Sequence, residues 1–184
     1  MQHKAITLLL LLFISPVFLS CTKTDINPDG SLSNSTVISG VPFVKQKYQL
    51  CGPAALTSVL TYYGSQTNQE EIARIVYTPE LNGSLISDMK HYAVEKGFSA
   101  VTKNGDLQAL TALIDENKPV ILLVDRGKLG VPLQHYYVVY GYNPENNIFI
   151  THDGKNEGVQ ISYTKLDKQW KKMNRLMLVI DNED

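Results

Sequence analysis

The pattern of apolar and polar positions divides the chain into helices followed mainly by strands. Apolar residues recur at three- and four-residue steps after Cys51, and this spacing predicts a helix with one buried face that ends near Gly64. Similar helical spacing and short apolar or alternating runs predict the other elements. The predicted helices cover residues 53–64, 68–76, 87–97 and 106–117, and residues 163–171 are predicted as a short helix or turn. The predicted strands cover residues 41–44, 98–101, 119–125, 135–143, 146–154 and 175–181.

The order of these elements predicts an α+β fold, in which N-terminal helices pack on an antiparallel sheet. Asn and Pro between residues 143 and 147 predict a turn that joins two strands into a hairpin. The sequence has 184 residues, a length typical of one domain, and we assign that domain to residues 41–184.

The first 20 residues predict a secretory signal peptide. A short polar start with Lys4 precedes an apolar run that Pro16 interrupts and that is short for a membrane span. Its end, Phe-Leu-Ser-Cys, resembles a bacterial lipobox, which implies cleavage before Cys21 and lipidation of that residue. A plain signal peptide that is cut nearby is the alternative. Residues 21–40 are rich in Ser, Thr, Asn, Asp and Gly, and predict a flexible tether.

Charge and composition exclude several kinds of site. The 17 Lys and Arg residues nearly balance the 18 Asp and Glu residues, and the basic residues are scattered, so we expect no nucleic-acid partner. No tight spacing of histidines and carboxylates indicates a metal site, and no glycine-rich phosphate loop is present. We therefore expect no metal and no cofactor.

Cys51 is the candidate centre of the chemistry. It lies at the start of the first helix, where the helix dipole favours negative charge, so we expect a thiol that ionises readily. The chain has two cysteines, and if Cys21 carries lipid, Cys51 has no disulfide partner. An unpaired thiol in an exported protein indicates reactivity. A Cys21–Cys51 disulfide, or a buried cysteine that only packs a helix start, are the alternatives.

His135 is the predicted base for such a thiol. It opens an apolar strand beside a loop with Gly and Pro, and scaffolds often present catalytic groups at such loop mouths. His91 lies on an amphipathic helix and is predicted to be a surface residue. The predicted hairpin brings His135 near Asp153, so we expect Asp153 to accept a hydrogen bond from the imidazole and orient it. A core histidine and an ordinary turn aspartate are the plain alternatives.

An oxyanion formed at Cys51 needs hydrogen-bond donors. The backbone N–H of Cys51 is one candidate, and the side-chain amide of Gln46 is the other. We prefer Gln46 over Gln49, because Gln49 is only two residues from the thiol. Tyr48, Tyr136 and the loop 126–134 are candidates to line a substrate groove.

Taken together, three segments carry a resemblance to a known family. They are Gln46 with residues 51–56, CGPAAL; residues 135–139, HYYVV; and residues 150–154, ITHDG, with Trp170 beyond. They resemble the papain-like cysteine peptidases of the bacteriocin-processing, double-glycine-leader type. Two positions depart from that pattern: Gln46 precedes Cys51 by five residues where six is commoner, and Gly154 stands where proline commonly follows the aspartate.

The resemblance implies a papain-like cysteine peptidase that needs no cofactor and acts on a peptide or protein. Cys51 would be the nucleophile, His135 the base and acid, Asp153 the orienting residue and Gln46 an oxyanion donor. Peptidases that trim bacteriocin leaders are usually fused to an ATP-driven exporter and act in the cytoplasm. We expect instead a stand-alone lipoprotein of the bacterial cell envelope, with its domain outside the cytoplasm. A non-catalytic peptide-binding module and a thioester-using acyltransferase or amidase are the alternatives.

Overall fold

The structure is a computed structural model that describes residues 34–182. The chain forms helices that pack on both faces of an antiparallel sheet. The α-helices are α1 (Cys51–Tyr62), α2 (Gln69–Val76), α3 (Ile86–Glu95), α4 (Leu107–Asp115) and α5 (Tyr163–Lys171). The strands are β1 (Thr36–Val37), β2 (Tyr77–Thr78), β3 (Gly83–Ser84), β4 (Phe98–Asn104), β5 (Val120–Asp125), β6 (Gln134–Asn143), β7 (Ile148–His152), β8 (Val159–Ser162) and β9 (Leu176–Asn182).

The main sheet has the strand order β4-β9-β5-β6-β7-β8, and β1 adds to β6. Every pairing in it is antiparallel, and β6 pairs with β7 as the predicted hairpin. Strands β2 and β3 form a separate two-residue hairpin. The predicted α+β fold is therefore confirmed.

Helix α1 is more deeply buried than a one-faced helix would be. It packs against β6 on one side and against α2 and α3 on the other. Leu56, Val59 and Leu60 have no exposed surface, and even Thr57 and Ser58 are buried. The hydroxyl of Thr57 donates to the Pro53 carbonyl, so this buried polar group is satisfied within its own helix. An apolar helix held on both sides gives its first residue, Cys51, a fixed position beside the sheet.

Several short elements differ from the sequence-based expectations. Residues 41–44 form no strand, because Pro42 lacks the N–H that a ladder needs, although the Val41 side chain is buried. Strand β1 lies inside the range predicted as a tether, 21–40, and Ile38 is 3% exposed, so that prediction was too long at its C-terminal end. Strand β8 was not predicted.

The predicted signal peptide, Cys21 and the tether as far as residue 33 lie outside the described residues. Within residues 34–182, no helix is both long and apolar enough to cross a membrane.

Candidate active site

The first turn of α1 presents Cys51 with little competition for its backbone donors. Leu50 occupies the cap position and provides no side-chain acceptor, and Pro53 has no N–H to be satisfied. Gly52 allows a close approach, because a Cβ there would lie 3.1 Å from both Met89 Sδ and Ser84 Cβ. The N–H groups of Cys51 and Gly52 are thus the donors that this helix start can offer to a bound anion.

The Cys51 thiol is half-buried, and its pKa does not follow the expectation from the helix dipole. Burial raises the pKa of Cys51 above its ordinary value of 9.0. The backbone amides of Tyr136, Gly52 and Cys51 itself and the charge of Arg126 oppose this effect without overcoming it. The prediction of a readily ionised thiol was wrong in direction, because desolvation outweighs the backbone donors at the helix start. At rest we expect a neutral thiol.

His135 lies at the start of β6 and is buried, with its ring fixed by one hydrogen bond. Its Nε2 is 2.7 Å from the backbone carbonyl oxygen of Asp153. Because a carbonyl oxygen only accepts, Nε2 carries the proton in the neutral ring, and Nδ1 keeps its lone pair. Burial lowers the pKa of His135 below its ordinary value of 6.5. The ring is therefore a neutral base at neutral pH.

Asp153 orients His135 through its backbone and not through its carboxylate. The carboxylate Oδ1 accepts hydrogen bonds from the backbone N–H groups of Lys155 at 2.9 Å and Asn156 at 2.7 Å. Although burial works against its ionisation, these two donors hold the pKa of Asp153 below its usual value. The expected hydrogen bond between the Asp153 carboxylate and the imidazole is wrong. Asp153 is the neighbour of His135, as predicted, but its backbone carbonyl oxygen contacts the ring and its carboxylate does not.

This geometry predicts a small effect for Asp153→Asn. The amide oxygen of asparagine accepts the same two backbone N–H groups, and the main-chain carbonyl stays in place, so kcat/KM for a peptide substrate should fall by less than about tenfold. Asp153→Ala should lose more activity, because the turn that holds the carbonyl loses its acceptor. A carboxylate that oriented the imidazole directly would instead make Asp153→Asn cost about 10,000-fold, as in a Ser-His-Asp triad.

Gln46 lies against the turn that follows Asp153. Its backbone N–H donates to the Gly154 carbonyl at 2.8 Å, and its side chain lies across Gly154. A Cβ at residue 154 would be 2.3 Å from Gln46 Oε1, and the φ of Gly154 is +77°, so glycine replaces the commoner proline for a physical reason. Gln46 Oε1 is buried and has no hydrogen-bond partner among the described residues. The oxygen of the Gln46 amide therefore makes no hydrogen bond that fixes the side chain in its present position.

Both polar atoms of the Gln49 side chain already make hydrogen bonds. Its Oε1 accepts from the Tyr77 hydroxyl at 2.7 Å, and its Nε2 donates to Asn82 Oδ1 at 3.0 Å. These contacts favour Gln46 as the side-chain oxyanion donor.

The two glutamines form a matched pair of variants. Removal of one oxyanion donor costs about 100- to 1,000-fold in kcat, so we expect a loss of that size for Gln46→Ala. Gln49→Ala should lose at most about tenfold, because its amide holds the rim of the cleft. Steady-state kinetics with one peptide would decide between them, and equal losses in the two variants would remove Gln46 from the oxyanion site.

One cleft of about 570 Å³ is lined by Cys51, His135 and Gln46 together. Tyr48 is 87% exposed at this cleft, whereas Tyr136 is 4% exposed and lines a neighbouring cavity that Cys51 also lines. The structure therefore places three sequence-predicted residues, Cys51, His135 and Gln46, around one cleft. His91 is exposed on α3, as predicted. His152 is buried, with its Nε2 3.1 Å from the Val41 carbonyl oxygen and its ring 4.4 Å from that of Tyr140.

The sequence analysis missed the β2–β3 hairpin as part of the cleft wall. Asn82, Gly83 and Ser84 line a cavity of about 600 Å³ that continues from Cys51. The Asn-Gly dipeptide at 82–83 was the available signal, because it is typical of a hairpin turn. Its flanking strands have two residues each, which is too short for a periodic pattern.

No group of three or more His, Cys, Asp or Glu residues that could hold a metal ion is found within residues 34–182.

A comparison with protein families decides the affiliation of the chain. The profile of the Peptidase_C39 like family matches residues 38–178, which is most of the chain. The chain belongs to that family. It is by this membership a cysteine-type peptidase, and the matched range includes Cys51, His135 and Asp153.

Individual relatives agree with this assignment. The chain is 29% identical over 120 residues to the pediocin PA-1 transport/processing ATP-binding protein PedD of Pediococcus acidilactici, a match that covers 65% of this chain and 16% of that protein. The crystal structure of the peptidase domain of Streptococcus ComA, a bifunctional ABC transporter, is 28% identical with a TM-score of 0.63. That match covers 78% of this chain and 99% of the ComA domain.

A third relative shows the fold alone. It is a double-glycine-motif protease from an AMS/PCAT transporter, solved in complex with a leader peptide. It is 19% identical, with a TM-score of 0.60 over 78% of this chain and 92% of that structure.

Proposed function

We propose that this family member is an exported, membrane-anchored peptidase that hydrolyses peptide bonds through a thioester on Cys51. The observation that carries the proposal is the cleft in which Cys51, His135 and Gln46 meet. A nucleophile, an oriented base and a side-chain amide whose N–H groups can donate to an oxyanion are the parts that acyl transfer needs.

The mechanism starts from a neutral pair. Nδ1 of His135 takes the Cys51 proton as Sγ attacks the substrate carbonyl carbon, and the imidazolium keeps its Nε2 hydrogen bond to the Asp153 carbonyl. The N–H of Cys51 and the Gln46 amide hold the oxyanion. The carbon–nitrogen bond then breaks as Nδ1 gives its proton to the leaving amine, which leaves the acyl group on sulfur. Water, deprotonated by His135, attacks the thioester, and the released thiolate takes the proton back.

Burial of Cys51 and His135 affects the charges of both groups in this mechanism. It disfavours charge on both Cys51 and His135, so the neutral pair is favoured before the reaction begins. Charge that develops in a water-poor site is stabilised more strongly by fixed donors than charge in water.

Export and lipid anchoring rest on the sequence alone. The apolar start, the lipobox-like Phe-Leu-Ser-Cys and the polar segment before the domain support a lipid on Cys21 and a domain outside the cytoplasm of the cell envelope. The peptide substrate is supported by the three relatives, all of which carry transporter names and one of which was solved with a leader peptide. A peptide that contains Gly-Gly is therefore the first substrate to test.

The test is mass analysis of products from the full chain and a Gly-Gly peptide, with and without an added amine such as hydroxylamine. Hydrolysis predicts two fragments, of which the acyl fragment ends in a free carboxylate. An amine adduct that exceeds the hydrolysis product would indicate an acyltransferase instead. A peptide that binds to the chain and stays intact would indicate a binding module.

A further inference from the structure

The cleft continues in two directions from Cys51, and its two ends differ in charge. On the side of the β2–β3 hairpin, no charged side chain lines the cavity, and Leu81, Leu85 and Leu133 supply apolar surface. A second cavity of about 610 Å³ shares Arg126 and Leu133 with the Cys51 cleft, and Arg126, Lys128 and Lys165 are its cationic lining residues. The two directions therefore suit different halves of a substrate.

The acidic group of the second cavity does not balance its cations. Asp153 is the carboxylate that lines it, and its Oδ1 already accepts hydrogen bonds from the backbone N–H groups of Lys155 and Asn156. No ion pair joins Arg126 to an Asp or Glu within residues 34–182. The cavity thus presents net positive charge to any ligand.

Arg126 is held where the two cavities meet. It lines both the Cys51 cleft and the second cavity, and its guanidinium lies 5.8 Å from the centre of the Tyr137 ring. Its backbone N–H donates to the Leu133 carbonyl at 2.8 Å, and Asp125 Oδ1 accepts from the N–H groups of Gly127 and Leu133. These contacts fix the base of the loop, while the guanidinium keeps its fork of donors for a ligand.

The chemistry assigns a substrate half to each direction. His135 gives its proton to the leaving amine, so the part of the substrate after the cleaved bond must lie against His135. Beyond His135 on the same strand face is Tyr137, which lines the second cavity. The amine half of the substrate therefore enters the cationic cavity, and the acyl half follows the uncharged one.

We propose that Arg126 binds a carboxylate within the first residues after the cleaved bond, so that the preferred substrates carry Asp or Glu, or a nearby C-terminal carboxylate, on that side. This inference rests on the proposed peptidase function. Arg126 acts in it as a specificity residue, with Lys128 and Lys165 as more distant contributors to the positive potential. An arginine fork on a carboxylate gives a charge-assisted, geometrically specific contact.

Binding to the full chain that carries Cys51→Ala tests the proposal without turnover. The probes are Ac-Leu-Ala-Leu-Ala-Gly-Gly-Xaa-Xaa-Ala-amide, with Xaa either Asp or Asn, measured by calorimetry at low and high salt. We expect the Asp peptide to bind about tenfold more tightly at low salt, with a smaller difference at high salt. A second pair, Ac-Leu-Ala-Leu-Ala-Gly-Gly-Ala with a free or amidated C-terminus, separates side-chain from C-terminal carboxylates.

Arg126→Gln should reduce the preference to about one, whereas Lys103→Gln should retain it. Lys103 is an exposed residue of β4, at the opposite edge of the sheet from β8, and its substitution removes the same charge. Equal binding of the acidic and neutral peptides, including no measurable binding of either, would overturn the proposal. A preference that persists in Arg126→Gln would overturn it as well.

Failure of this inference and failure of the peptidase proposal give different results. If the wild-type chain cleaves the Asp and Asn peptides equally well, the peptidase proposal stands and the role of Arg126 is wrong. If Cys51→Ala prefers the Asp peptide through Arg126 but the wild-type chain cuts neither, the carboxylate site stands without the hydrolysis.

Discussion

Cys51→Ala should abolish peptide hydrolysis, with a loss in kcat of about a million-fold, the size seen when a nucleophile of a hydrolytic triad is removed. Every covalent step of the proposed mechanism uses the sulfur, and no other cysteine lies within residues 34–182. The residual rate would come from binding and the oxyanion donors alone. The measurement is kcat for a Gly-Gly peptide at neutral pH, with the product masses identified.

Cys51→Ser is the matched companion, because it keeps the size of the side chain and its hydrogen-bonding capacity. It should also lose most activity, because the serine hydroxyl is a much weaker acid than the thiol and is therefore a weaker nucleophile at neutral pH. Circular dichroism and thermal unfolding should match the wild type in both variants. A folded Cys51→Ala chain that keeps even one per cent of the wild-type rate would contradict a thioester on this residue.

His135→Ala should lower kcat/KM by roughly 10,000-fold or more, because Cys51 then loses the base that takes its proton. Its effect should also depend on pH. In the wild type, His135 acts while neutral, and burial holds its pKa below 6.5, so activity should persist into mildly acidic solution and fall only when the ring protonates. On the alkaline side activity should fall only above pH 9.0, because burial raises the pKa of Cys51.

In His135→Ala, the fall in activity that imidazole protonation causes should therefore be absent. The small residual rate of this variant should instead rise with pH as the thiol ionises without help. His91→Ala is the control, since His91 is exposed on α3 and should leave the whole pH profile unchanged. Retention of that fall in activity in His135→Ala would show that another group takes the Cys51 proton.

Local sequence patterns were sufficient to predict the helix and the hairpin that carry the site residues. The helical spacing after Cys51, with Pro53 in the first turn, predicted α1, and the Asn-Pro turn at 143–147 predicted the β6–β7 pairing. That hairpin accounts for the contact between His135 and the residue at 153. Local patterns succeed here because the periodicity and the turn chemistry lie within a few residues of each other.

Tertiary packing decided what local signals could not. A hairpin register brings Asp153 to His135, but the atom that meets the ring depends on the turn at 154–156, whose N–H groups take the carboxylate. The pKa of Cys51 depends on how deeply the thiol is packed, which a helix position does not reveal. Strand β1 pairs Thr36 with Tyr142, a contact between residues too distant in sequence for a two-residue strand to predict.

The most direct test of the Cys51–His135 pair is intact-mass analysis of the full chain after exposure to an epoxide-based cysteine-peptidase inhibitor. Wild type, Cys51→Ala and His135→Ala would be run side by side, and fragment masses would separate Cys51 from Cys21. We predict one adduct at Cys51 in the wild type, no adduct at residue 51 in Cys51→Ala, and much slower labelling in His135→Ala. A folded wild-type chain that gains no adduct at Cys51, or a His135→Ala chain that labels at the wild-type rate, would contradict an activated pair.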